Sequence, residues 1–258
     1  MRKYFYIGII LISGFSVFSQ GQRTGGYRRV EYKDSCHHFI IVGANITGEL
    51  PLGDMQHRFG SNLSFGLPVL YKTNKNLLFG LDGNYFFSGN VKEDPLNSMY
   101  NSSNTITGSS GNPGAVRLNE RGFTAYAVIG TVINKFGKNK NSGIFVYVGL
   151  GYMQHKINIY DINKSLPQIT GNLAKGYDRL TGGPAAEQFI GYMYLARNRM
   201  VNFYTGFEIQ EGFTTGLRGY QYDTMASDGK QRWDILVGFK FGWLLPLYTK
   251  APKEFYYN

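Results

Sequence analysis

Few side chains of this sequence are spaced for bond-making chemistry, and its patterned charges stand where they would pair with one another. The histidines are His37, His38, His57 and His155. A hydrolytic site needs a nucleophile held against a base, and a third group to orient that base. No spacing around the four histidines points to such a set. His37 and His38 begin an extended segment, where adjacent side chains face opposite ways, so they make a poor metal chelate. His155, with Lys156 beside it, reads as an exposed strand end. No catalytic, metal-binding or cofactor-binding residue is therefore expected. Asp82, Glu208, Arg232, Asp234 and Lys240 instead lie on the polar sides of alternating segments. Glu208 and Lys240 are expected to approach each other, with Asp82 or Arg232 joining them, because a charge withdrawn from water must be paired.

The elements that would carry these charges show a period of two. Alternation predicts strands near 38–50, 62–71, 77–90, 121–133, 143–158, 186–196, 201–214 and 231–245. The last is the clearest: Trp233, Ile235, Val237, Phe239, Phe241 and Trp243 share one face, against Arg232, Asp234, Gly238, Lys240 and Gly242. In the seventh, Val201, Phe203, Phe207 and Ile209 oppose Asn202, Tyr204, Glu208 and Gln210. The fourth and sixth alternate poorly. Amphipathic helices would need spacings of three and four, which these segments lack.

The amino terminus carries a different pattern. Arg2 and Lys3 precede an apolar run over 4–18, and Val17 and Ser19 are small residues suited to signal-peptidase cleavage. Residues 1–19 are therefore expected to be a signal peptide cleaved near Ser19; the run is shorter than the ~20 residues of a spanning helix. No later apolar run reaches that length. The single cysteine, Cys36, excludes an internal disulfide framework. The formal net charge of +10 would suit nucleic acid, but an exported chain makes that partner a poor fit.

Connections separate the strands into two kinds. Those at 72–76, 134–142 and 197–200 are short or modest; those at 51–61, 91–120, 159–185 and 215–230 are longer. Short ones follow every even-numbered strand. Eight alternating segments joined in this way resemble the small outer-membrane barrels of OmpA/OmpX-like architecture. The resemblance implies an all-β, eight-stranded antiparallel up-and-down transmembrane β-barrel over 37–249. It further implies a bacterial outer-membrane location, lipid contact, and both termini in the periplasm. The segment LVGFKFGWLLPLY looks like a closing strand, although the chain continues past it. A soluble barrel of lipocalin type has the same strand number, and alternation alone does not say which face points outward.

That topology assigns two flanking segments to the periplasmic side, 20–36 and 250–258. With the short turns they bring Arg23, Arg28, Arg29, Lys33, Lys72, Lys75, Lys135, Lys138, Lys140, Arg197, Arg199, Lys250 and Lys253 to one rim. Such a rim suits anionic head groups, or an acidic protein partner. Phe255, Tyr256 and Tyr257 in the tail could dock onto an envelope partner. Residues 97–114 are polar and read as a mobile loop, and 177–184 (YDRLTGGP) as a turn-rich connection. Three roles follow: an envelope anchor or subunit of a larger outer-membrane complex, a narrow uptake route for small or apolar molecules, and a lipid A-modifying enzyme. The Ser–Gln cleavage site and the Tyr-, Asn- and Lys-rich barrel are similar to outer-membrane proteins of the Bacteroidota, which implies secretion or gliding as a setting for the first.

Overall fold

The computed structural model describes residues 38–103, 105–109, 111–137, 140–196 and 202–247. Eight long strands make up the wall. They are β1 Phe39–Gly53, β2 Asn62–Lys72, β3 Leu77–Ser88 and β4 Val116–Ile133. After these come β5 Gly143–Asp161, β6 Thr181–Leu195, β7 Asn202–Gly216 and β8 Gln231–Leu247. Each runs antiparallel to the next, and β1 pairs with β8 as well as with β2, so the sheet closes. Asn45 marks the seam: it lies opposite Gly66 of β2 and Gly242 of β8. Closure leaves no unpaired sheet edge, which a membrane requires of a strand-built span.

Burial along the strands decides which face points outward. In β8, Asp234, Leu236, Gly238, Lys240, Gly242 and Leu244 are buried, while Trp233, Phe239, Phe241, Trp243 and Leu245 are exposed. The exposed set is apolar around the wall. Leu67 is 68% exposed, Leu81 65%, Leu150 74% and Phe207 62%. A soluble barrel turns such side chains inward; a belt of them facing out has hydrocarbon as its solvent. The chain is an eight-stranded antiparallel up-and-down transmembrane β-barrel.

The interior is divided along its axis. At the short-turn end it is apolar, with Phe39, Ile41, Leu70, Leu78, Phe145 and Leu244 fully or nearly buried. Polar side chains occupy the middle, and at the long-loop end they are mixed with buried Met55, Phe59, Met153 and Ile157. The sequence suggests a polar lumen throughout; the apolar floor arises because strands near the short turns place leucines and phenylalanines on both faces. Close approach inside needs glycine at particular points. Gly191 and Gly206 face each other across β6 and β7, and a Cβ on Gly206 would lie 2.3 Å from the Ile190 carbonyl oxygen.

Three expectations are corrected by these elements. Lys72 belongs to β2 and not to the turn after it, and its side chain is buried, with Nζ donating to Asn141 Oδ1 at 2.8 Å. It is therefore not part of an exposed basic rim. Thr181–Pro184 are strand, because pairing with Tyr152–His155 of β5 overrides their turn chemistry. The β3–β4 connection, expected to be mobile, is folded. Ile106–Thr107 pairs with Pro113–Gly114, and Leu96, Ile106, Leu166 and Ile169 form an apolar cluster joining this loop to the β5–β6 loop.

Candidate functional site

The centre of the lumen is built on Lys240. Alternation in β8 turns its side chain inward, where Nζ lies 3.0 Å from Asp82 Oδ2, 2.9 Å from Glu187 Oε1 and 2.6 Å from Glu208 Oε2. These carboxyl groups come from β3, β6 and β7, so one ammonium ties together strands on both sides of the barrel. Nζ also donates to the Tyr147 hydroxyl at 3.1 Å, and that hydroxyl donates to Glu187 at 2.8 Å. Gln210 extends the network outward by donating to Glu49 at 3.2 Å and Glu208 at 3.3 Å. Beneath it, the Tyr147 and Phe189 rings stack at 4.9 Å, with Phe145 and Tyr204 packed around them. Gly242 admits the Tyr204 ring; a Cβ there would lie 2.1 Å from Cε1.

The structure brings Asp82, Glu208 and Lys240 together but leaves Arg232 and Asp234 elsewhere. Arg232 stands at the long-loop end, paired with Asp228 at 2.7 Å. Asp234 is buried in a separate cluster: His155 Nε2 lies 2.9 Å from its Oδ2, and the Thr214 hydroxyl donates to the same oxygen. This corrects the reading of His155 as an exposed strand end. β5 continues to Asp161, well beyond His155, and the β1–β2 loop folds back over the mouth. Its Met55 and Phe59 are fully buried, and the Phe59 ring meets His155 edge-on at 5.5 Å. Thr214 reaches the carboxylate and not the imidazole, so His155, Asp234 and Thr214 lack the contact by which a base activates a nucleophile. Among the described residues, no three His, Cys, Asp or Glu side chains are grouped to hold a metal ion.

Ion pairs lock the long loops over this end. The Arg58 guanidinium donates to Glu93 Oε2 at 2.8 Å, to Thr181 Oγ1 at 3.0 Å and to the Arg179 carbonyl at 3.0 Å. Burial pushes that guanidinium below its ordinary value, opposed by the Glu93 carboxylate. Arg179 binds Glu93 Oε1 at 2.9 Å and also Asp223. Asp178 accepts two hydrogen bonds from Arg218, which hold the Arg218 guanidinium above its ordinary value. Between these groups lies a cleft of about 530 Å³ bordered by Arg58, Glu93, Arg179, Asp228, Lys230 and Arg232.

Sequence reasoning missed Glu187, His155 and Arg58. Glu187 stands beside Gln188 in a segment that alternates poorly, so its inward direction gave no clear signal. His155 and Arg58 had none, since the β1–β2 loop covers the first and carries the second. Phe255, Tyr256 and Tyr257, the segments 1–19, 20–36 and 250–258, and the turn 197–200 lie outside the described residues.

No family model and no curated protein matches the chain. Solved structures do. Neisserial surface protein A is 11% identical over 81% of this chain and 97% of its own, with a TM-score of 0.42. The attachment invasion locus protein of Yersinia pestis is 11% identical over 81% and 99%, at 0.39. The outer membrane protein OprG from Pseudomonas aeruginosa is 14% identical over 82% and 97%, at 0.35. At these scores the likeness adds nothing to what strand pairing and the outward apolar belt establish.

Proposed function

We propose that this protein is a non-enzymatic barrel of the bacterial outer membrane that anchors an ordered outer end within a larger envelope assembly. The observation that carries this reading is the filled lumen. The Lys240 cluster occupies its centre, an aromatic and aliphatic floor lies below, and Met55 and Phe59 close it above. The void beside Tyr147 and Tyr204 is about 10 Å³, at the lower limit for a single water molecule. An uptake route through the lumen would need these groups to leave, exposing an unpaired buried charge. The long loops would face outside, and the short turns, with Lys75, Lys135 and Lys140, would face the periplasm. The tail residues Phe255, Tyr256 and Tyr257 would dock onto an envelope protein.

Two measurements bear on this. Liposomes containing the purified protein should swell in small sugars no faster than protein-free ones; swelling that scales with protein content would overturn the closed-lumen reading. Gentle solubilisation should recover an envelope protein with the full chain but not with a chain ending at residue 249. A barrel that purifies alone would sink the assembly role.

A further inference from the structure

The outward wall of β4 and β5 carries a feature that neither lumen nor loops explain. Arg121 and Lys156 are direct cross-strand partners on the lipid-facing side. Like charges placed opposite each other on one face repel, and among the described residues neither joins an ion pair. The Lys156 side chain makes no hydrogen bond to a described residue either. Arg121 is held along the wall: its Nη1 donates to the Tyr85 hydroxyl at 3.3 Å, and its guanidinium lies 5.9 Å from the Phe87 ring centre. On β5, Gln154 and Asn158 flank Lys156 on the same face and add amide donors. Arg121, Lys156, Tyr85, Gln154 and Asn158 border a groove of about 400 Å³. Arg117 continues the outward basic stripe of β4 toward the loops.

Depth in the membrane is set by the neighbouring rows. One row toward the centre lie Phe123 and Tyr85, cross-strand partners, and Phe123 also packs against Tyr152 at 6.2 Å. Beyond them the wall is aliphatic, with Ala125, Leu81 and Leu150. Aromatic side chains of this kind mark the boundary between hydrocarbon and head groups. The cation pair therefore stands at the level of lipid phosphates. A lone basic side chain at this depth needs only water. Two opposed cations with amides on either side match the several acceptor oxygens of a phosphate monoester, which also cancels their repulsion.

We propose that this groove binds a phosphate group of a phosphorylated glycolipid in the outer leaflet, held between Arg121 and Lys156. The leaflet follows from the proposed orientation, with the long-loop end outside.

The test is native mass spectrometry of the full-length folded barrel, titrated with bisphosphorylated lipid A, dephosphorylated lipid A, phosphatidylglycerol and inorganic phosphate. Bisphosphorylated lipid A should bind the wild type best. The R121Q/K156Q variant should bind it about tenfold more weakly or worse, as expected for lost charge-assisted contacts. K156R should retain binding, and Gln188→Ala, on another part of the wall, should not alter it. Persistence of a compact, unheated electrophoretic form shows that each variant is folded; if the double variant is not, K156Q alone should still weaken binding. Equal binding by the folded variant, or by dephosphorylated lipid A, overturns the proposal. Displacement by inorganic phosphate alone would mark a free-anion site and also overturn it. Preference for phosphatidylglycerol would overturn both the glycolipid and the orientation, while the liposome result would stand.

Discussion

At the scale of residues, the lumen depends on one ammonium group. Lys240 contacts Asp82, Glu187 and Glu208 with no exposed surface, so its removal leaves carboxyl groups buried without a cation. Lys240→Met should lower stability by about 3–5 kcal/mol, the range for breaking a buried pair from one side. The check is the temperature at which the compact electrophoretic form is lost; an unchanged temperature would remove Lys240 from its central place. Adding Glu208→Gln to that variant should cost less than the separate losses combined, because the two residues share one network. Glu208 and Lys240 were legible because each interrupts a clean alternation, which fixes its parity. Glu187 was not, since Gln188 beside it is also polar while Phe189 and Ile190 are both apolar, so the parity of β6 cannot be read there.

At the scale of elements, the β1–β2 loop does what no strand pattern announces. It turns through Met55–His57 and drops Met55 and Phe59 into the barrel mouth, which is why His155 is enclosed. Arg58 fastens it to the β3–β4 loop through Glu93 and to β6 through Thr181. Arg58→Ala should therefore cost about 1–3 kcal/mol, as for buried partners left unsatisfied. It should also speed proteolysis within 54–61 and 89–115, followed by peptide mapping; equal cleavage rates would show that the loops close without it. Strand existence was readable from period two, but the ends of β4, β5 and β6 were not. There the outward residues Gln154, Lys156 and Asn158 are polar, since the wall has risen out of hydrocarbon, and the contrast that defines alternation disappears.

At the scale of the whole molecule, the barrel is a belt of outward apolar side chains around a packed interior. Sequence alternation implied the belt but not the apolar floor, because residues such as Leu70 and Leu78 match the lipid-facing residues in type and differ only in direction. Planar-bilayer recordings should accordingly show no unitary conductance above the bare membrane, in the same sense as the liposome assay. Current steps in proportion to added protein would mean that the Lys240 cluster opens.

The order of the strands along the chain gives the Lys240 contacts a second meaning. The carboxyl groups come from β3, β6 and β7, whereas their cation comes from β8, the last of the described strands. Without β8 the other seven strands would hold Asp82, Glu187 and Glu208 without their shared ammonium, and β1 would lack its second partner. The strand that seals the seam is thus also the one that carries the counter-charge, so closure of the wall and neutralisation of these carboxyl groups rest on the same element.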